Sequence, residues 1–428
     1  MTIELAAGLP TLGPTGHLLL ALPLMMVCCL LAGRLAQRIG QPPVIGEILT
    51  GIALGPSLLG ALWPEGQSRL FPEGMLPVID AIAQLGLVLF MFLVGYELNL
   101  GQVRDRGRAA VLVSNVSIAV PLLGGVLLAL AMYDRFAGKD VGFLTFALFI
   151  AVSMSITAFP VLARILIDRK IEHTPVGALA LTCAAVDDIT AWCLLALVTA
   201  LAKGGSPASV LLTVALSLAF ICALWFGLRP VLARLVERRP TARNALPVVL
   251  SGVLLAAFTT DWIGIHAIFG AFLFGAVVPR GNAVVASAVE RIRPLTVVLL
   301  LPLFFVCSGL HTEFSLLGAD PALWAWCALI TAVAVLAKWA GSTGAARLTG
   351  FGRRDSIALG ALMNCRGLTE LVVLGVGLEL GVISPTVFTM LVVMTLVTTM
   401  ITAPALTLID RVSARRTHAA PRREMVMK

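Results

Sequence analysis

The stretch TPVGALALTCAAVDDITAWCLLALVTAL, residues 174–201, decides how the rest of the chain is read. It is 28 residues long, and its only charged side chains, Asp187 and Asp188, are the fourteenth and fifteenth of them. An apolar run of more than about 18 residues reads as a membrane-crossing helix, so the two aspartates fall at the centre of the bilayer. Each costs about 2.5–3.5 kcal/mol to insert there, roughly 5–7 for the pair. The ten Leu, Ile and Val of the stretch return only about 3–6 kcal/mol. Insertion does not favour the pair, and its presence needs another reason. Helix capping is not that reason, because carboxylates cap helix N-termini and these lie at least two turns from either end. Two readings remain: a structural ion pair, or a carboxylate that alternately holds a proton and a monovalent cation, each of which cancels its charge.

Composition extends the membrane reading to the whole chain. Of its 428 residues 59% are hydrophobic and 13% charged, with mean hydropathy +0.99, against about a quarter charged in soluble domains. The expected fold is an all-α polytopic membrane protein. Thirteen apolar spans are expected, at roughly 17–36, 43–62, 77–98, 110–132, 142–168, 174–201, 207–228, 244–260, 263–279, 294–310, 321–347, 356–378 and 384–409. With the N-terminus outside, 25 of the 31 Lys and Arg fall in loops on the inner side, and only Arg69, Arg135, Lys139 and Lys203 on the outer side. That bias predicts a cytoplasmic C-terminus by the positive-inside rule. The net charge of +8 is then topology and attraction to anionic membrane lipid, and calls for no nucleic-acid partner. The eight cysteines show no metal-ligand spacing and no cofactor is implied. The first span is expected to be a retained helix rather than a signal peptide, and residues 412–428 a short basic cytoplasmic tail with no room for an appended regulatory domain.

The chain is expected to form a single transporter domain. A first repeat covers about 17–201, a linker helix about 207–228 and a second repeat about 244–409, with the basic stretch GLRPVLARLVERRPTARN (227–244) as hinge. The last three spans of each half have opposite orientation, as an inverted repeat requires. The middle span of each trio has an interrupted interior: SMSITAFP (153–160) in the fifth and NCRGLTE (364–370) in the twelfth. Discontinuous helices at corresponding positions of inverted halves point to a midplane ion site, because bare backbone at that depth is tolerated only where it lines a cavity.

The candidate residues follow. Lys338, about four residues from the middle of the eleventh span, is the natural partner for one aspartate and could release a proton when that aspartate takes a cation. Lysine can also snorkel about 7 Å to the interface. Arg366 and Glu370, one helical turn apart, form a structural ion pair or position the broken helix. Ser155 and Thr157 could offer hydroxyl or backbone oxygens to a cation, or bond within their own helix. Asn364 lines the second break. Glu47, Glu97 and His266, near span ends or among glycines, read as packing or interfacial residues.

These residues sit in motifs with a resemblance. PVIGEILTGIALGPSLLG (43–60), FLVGYELNL (92–100), SITAFPVLARIL (155–166), AAVDDITAW (184–192), GIHAIFGAFLFGAVVPRG (264–281) and NCRGLTELVV (364–373) together resemble the monovalent cation:proton antiporter-2 family, in the family's order. The resemblance implies thirteen helices in a scaffold domain and a mobile core, two crossing discontinuous helices, an elevator-type cycle and a homodimer. It implies that Asp188 binds the transported cation and proton, and that Asp187 pairs with Lys338. The aspartate pair with lysine is similar to electrogenic, sodium-preferring members that move two protons per cation. NCRGLTELVV is similar to plant-type exchangers, many of them potassium-linked, so Na⁺, K⁺ and Li⁺ all remain open as substrates beside H⁺. The function implied is secondary active cation/proton antiport in a bacterial-type inner membrane. Alternatives are a proton-coupled exporter of an organic cation or ionophore-like metabolite, and an ion channel. No TVGYG-type filter and no nucleophile–base set is legible, so neither a channel nor an enzyme is favoured.

Overall fold

The computed structural model describes residues 13–72, 74–97, 107–138, 141–171, 174–202, 207–238, 245–280 and 282–419. Among these there is no strand, only an isolated bridge between Ala137 and Ile383. We number the principal helices α1 (Pro14–Arg38), α2 (Pro43–Leu54), α3 (Leu76–Glu97), α4 (Gly107–Phe136), α5 (Phe143–Ser155), α6 (Phe159–Asp168), α7 (Pro175–Ala202), α8 (Pro207–Cys222), α9 (Arg229–Arg238) and α10 (Ala245–Ile263). They continue with α11 (Ala267–Val277), α12 (Ala283–Leu295), α13 (Leu301–Leu310), α14 (Pro321–Leu348), α15 (Arg353–Met363), α16 (Leu368–Glu379) and α17 (Pro385–Ala419).

Among the described residues ten helical segments are long and apolar enough to cross a membrane, and each falls on one of the thirteen expected spans. The other three expected spans fall on shorter pieces: α5 with α6, α11, and α15 with α16. Two of these are the spans with interrupted interiors. The polarity of the fold is inverted relative to a soluble protein. Leu211, Phe226, Phe258 and Trp262 are exposed, whereas Asp187, Asp188, Lys338, Arg366 and Glu370 are buried. In a bilayer this is the stable arrangement, because lipid is as apolar as leucine and a charge needs protein partners.

The expected boundaries shift at two places. The linker helix does not stop at Leu228 but passes through a π-helical turn, Ala223–Leu228, into α9. There Arg229 lies over the Trp225 ring at 4.8 Å, which anchors the turn. The last helix continues to Ala419, so the basic tail begins as helix. The basic residues Arg104, Arg106, Lys139, Lys203, Arg239 and Arg243, and the tail from Arg422 to Lys428, lie outside the described residues.

Helices pack principally within two groups. In one, α1, α2, α3, α10, α11 and α13 contact one another; in the other, α4 and α5 pack with α7, and α14 packs against α4, α15 and α17. A cavity of about 410 Å³ lies between the groups, bounded by Asp80, Leu87 and His311 on one side and Val372, Val376 and Glu379 on the other. Within the first group, α3 and α11 touch backbone to backbone. A Cβ on Gly275 would lie 2.2 Å from the Phe92 carbonyl oxygen, and one on Gly95 2.1 Å from that of Phe272. Small residues are what permit such an approach. Gly275→Ala should therefore force the helices apart and lower stability by about 1–3 kcal/mol. Thermal unfolding in detergent checks this, and an unchanged midpoint would contradict so close a crossing.

Candidate ion-binding site

The site begins with two helices that stop halfway. Pro160 has no N–H to give the carbonyl of Ile156 and so removes one helical hydrogen bond at SMSITAFP; an interior proline alone does not end a helix, since Pro23, Pro121 and Pro404 lie within α1, α4 and α17. α5 ends at Ser155, Ile156 is extended (φ −68°, ψ 140°), and α6 starts at Phe159. In the second case α15 ends at Met363 and α16 starts after Gly367. The two breaks touch. The Ala158 amide donates to the Cys365 carbonyl at 3.0 Å, and the Thr157 hydroxyl oxygen lies 3.0 Å from the Met363 carbonyl, a second acceptor in reach of its one hydrogen. Thr399 of α17 completes the second break, donating to the Arg366 carbonyl at 2.6 Å and accepting from the Arg366 amide at 3.0 Å. Backbone groups freed by each break are thus satisfied largely by the other, which lets irregular backbone persist in the protein interior.

Four half-helix ends converge here, and their charges are matched. A helix C-terminus carries unpaired carbonyls and partial negative charge. Arg366 donates to the carbonyls of Ser153 and Met154, and Lys338 Nζ to that of Ser155 at 2.5 Å, so two cations cap α5. The N-termini of α6 and α16 carry the opposite partial charge and meet Asp188. Its Oδ1 accepts from Thr369 Oγ1 at 3.0 Å, and the Phe159 amide also bonds it.

Neighbouring positions on α7 point about 100° apart, so the two aspartates have different surroundings. Asp187 accepts from Lys338 Nζ at 2.8 Å, from Thr157 Oγ1 at 2.8 Å, and from the hydroxyls of Ser114 (3.3 Å) and Ser117 (3.2 Å) on α4. The side chains of Asp187 and Lys338 are both 0% exposed. Lys338 therefore points inward rather than snorkelling. Arg366 and Glu370 pair at 2.9 Å, also at 0% exposure.

Among the described residues three carboxylates are buried: Asp187, Asp188 and Glu370. The first has Lys338 and the third Arg366. Among the described residues Asp188 has no cationic partner. The local charge comes to one uncompensated negative group, held between two positive helix ends.

Other expected residues lie differently. The Ser155 hydroxyl bonds the Val152 carbonyl of its own helix at 2.9 Å, so its contribution at the break is a backbone oxygen. Thr157 faces Asp187 rather than Asp188. Asn364 is buried, and neither atom of its amide has a partner among the described residues. Glu97 pairs with Arg293 at 2.5 Å, and His266 caps α11. Sequence reasoning misses Ser114, Ser117, Thr369 and Thr399. For the serines a signal exists, two hydroxyls three residues apart in an apolar helix. Thr369 and Thr399 look like any threonine that bonds its own helix.

An all-helical, multi-pass membrane protein with a charged site between two interrupted helices is the class that fold and site define. The model of the family described as "Sodium/hydrogen exchanger, transmembrane" matches residues 24–409, and the chain belongs to this family. It is 43% identical over 400 residues to the Na⁺/H⁺ antiporter NhaS4 of Synechocystis, covering 91% of this chain and 97% of that one. It is 36% identical over 395 residues to K⁺/H⁺ antiporter 1 of Saccharomyces cerevisiae, covering 89% of this chain but 45% of the relative. The chain spans about half the length of that yeast relative and of similar plant ones. The solved sodium proton antiporter MjNhaP1 of Methanocaldococcus jannaschii shares the fold, with TM-score 0.66 over 93% of this chain and 98% of that one, at 15% identity.

Proposed function

We propose that the chain is a monovalent cation/proton antiporter in which Asp188 carries either ion in turn. The single uncompensated carboxylate among the three buried ones carries this reading. A lone negative charge in a dry site is stable only when neutralised. One proton or one monovalent cation does so, and the two exclude each other. Moving across only when neutralised makes exchange obligatory. Family membership supports the class of reaction, and relatives named Na⁺/H⁺ and K⁺/H⁺ antiporters support the substrates. Two relatives matched along nearly their whole length are named for Na⁺/H⁺ and for Na⁺/H⁺-K⁺ antiport, and we take Na⁺ as the principal substrate.

In this reading the group of helices around α4–α7 and α14–α17 moves against the other, elevator fashion, carrying the crossed breaks within it. The halves are inverted repeats, the N-terminus lies outside, the C-terminus is cytoplasmic, and the protein is a homodimer in the plasma membrane. Arg366 and Glu370 position the second break. Lys338 supplies a second proton by releasing it from the Asp187 pair, which makes exchange electrogenic at two protons per cation.

A proteoliposome assay with a pH-sensitive dye under an imposed proton gradient tests this, with Na⁺, K⁺ and Li⁺ added separately. Collapse of the gradient by at least one alkali cation is expected. No response to any of them would sink the antiport reading and favour an exporter of organic cations. Competition at Asp188 fixes the sign of the pH dependence: the apparent KM for the cation falls as pH rises, and maximal rate changes less. A KM independent of pH would mean separate sites. Lys338→Gln should retain exchange but lose the second proton, so that transport no longer responds to membrane potential. Unaltered potential dependence would remove Lys338 from the cycle.

A further inference from the structure

The linker helix packs loosely against the bundle. Only 6% of the apolar window in Leu211–Arg234 is buried, the least of the ten crossing segments among the described residues. Beside it runs an apolar groove of about 530 Å³. Leu224, Leu228 and Leu232 line one side, and Val248 and Leu255 of α10, with Phe274 of α11, line the other. From Phe220 to Leu232, both of which line it, the groove runs about 18 Å at 1.5 Å per residue. One hydrocarbon leaflet is about 15 Å deep, so the groove is close to one leaflet long. Its far end is charged. Arg229 follows Leu228 directly, with its guanidinium 4.8 Å from the centre of the Trp225 ring. Arg280, three residues past the end of α11, donates to the Gly95 carbonyl at 3.2 Å. The two lie in electrostatic reach of each other: partial burial lowers the Arg280 pKa, Tyr96 opposes that shift, and repulsion from Arg229 adds to it. Both side chains are exposed, and neither has an acidic partner among the described residues. Glu97 and Glu290, on α3 and α12, are held by Arg293 at 2.5 and 3.2 Å.

We propose that this groove holds one anionic phospholipid, with its acyl chains between the linker helix and α10 and its phosphate between Arg229 and Arg280. The apolar walls suit hydrocarbon, and the length suits chains that reach from the headgroup level to the middle of the bilayer. A phosphodiester accepts paired bonds from guanidinium groups and offsets the repulsion between the two. Phosphatidylcholine offers the same phosphate but brings a fixed cation to the same place, so an anionic headgroup such as phosphatidylglycerol is favoured. The acyl chains give the exposed linker helix apolar contact with α10 along the groove. In the orientation proposed above, the arginines lie at the cytoplasmic end and the lipid belongs to the inner leaflet. The binding itself does not depend on whether the chain exchanges ions.

Native mass spectrometry of the full chain in detergent tests this, with phosphatidylglycerol and phosphatidylcholine of identical acyl chains titrated separately. The wild type is expected to bind its first phosphatidylglycerol roughly thirtyfold more tightly than phosphatidylcholine, the attraction that two arginines supply. Arg229→Gln with Arg280→Gln should remove that preference and leave phosphatidylcholine binding unchanged. Leu255→Trp, which puts a larger side chain into the groove, should weaken binding of both lipids. All three residues are exposed, so folding is not at stake, and the wild-type comparison decides even without the variants. Equal affinity of the wild type for the two lipids overturns the proposal, as does a preference that survives the loss of both arginines. Unaltered binding in Leu255→Trp would put the lipid outside this groove and overturn it as well. If Leu255→Trp shifts dimer to monomer while lipid binding is unchanged, a second copy of the chain covers the groove instead.

Discussion

Asp188→Asn is expected to abolish exchange of every alkali cation while leaving the protein folded. Asparagine has the size of aspartate and can still accept from Thr369 through its amide oxygen. It carries no charge to be cancelled and takes up no proton at neutral pH. The central charge, which costs about 2.5–3.5 kcal/mol to place in the membrane, is removed, so the thermal midpoint should be equal to or above that of the wild type. Loss of dye response with an undiminished midpoint separates lost chemistry from lost fold. If Asp188→Asn exchanges cations normally, the carrier is another group and the assignment fails, whatever the fold. Asp187→Asn is expected to behave differently. It leaves Lys338 without its carboxylate and so should lower stability, because Asp187 is tied to three other elements.

The second large effect is on stability. Arg366→Leu should cost about 3–5 kcal/mol, the penalty for leaving one member of a buried ion pair without the other. Here the loss has two parts. Glu370, at 0% exposure, becomes an uncompensated buried carboxylate, and the carbonyls of Ser153 and Met154 lose the guanidinium that caps α5. The double variant Arg366→Leu with Glu370→Leu removes the first part and keeps the second. It should recover some of the loss but not all, since apolar replacement of a buried pair is often neutral. Thermal unfolding of single and double variants in the same detergent reads both parts. A double variant no more stable than the single one would mean that capping, not pairing, dominates. An unchanged midpoint in the single variant would contradict any anchoring role for Arg366.

Much of this site is legible in the sequence because charge in an apolar run is a local signal. Asp187, Asp188, Lys338, Arg366 and Glu370 all stand out against their neighbours. Polar side chains without charge are legible in part. Thr157 sits near a proline and draws suspicion, yet which aspartate it serves cannot be read from its neighbours. Ser114, Ser117 and Thr369 escape notice because a hydroxyl in a membrane helix usually bonds the carbonyl one turn back, as Thr182 and Thr190 of α7 do. Only the approach of α4 and α16 to α7 turns them toward the aspartates. The extension of the linker helix past Leu228 is hidden for a related reason. A basic stretch with prolines reads as a loop, whereas Arg229 is held on Trp225 in helical geometry.

The amino-acid order is enough to show that this chain is a bundle of membrane helices, where nearly all of them lie, which two carry interrupting motifs, and which charges fall within apolar spans. Hydropathy and the clustering of polar or helix-breaking residues in an apolar run act over one or two turns, and need no knowledge of the rest of the chain. The tertiary structure decided the pairing. Lys338 and Asp187 are 151 residues apart, Thr369 and Asp188 181. Nothing local distinguishes which aspartate receives the lysine, but the packing of α14 against α4, and of both breaks against α7, leaves Asp187 neutralised and Asp188 not.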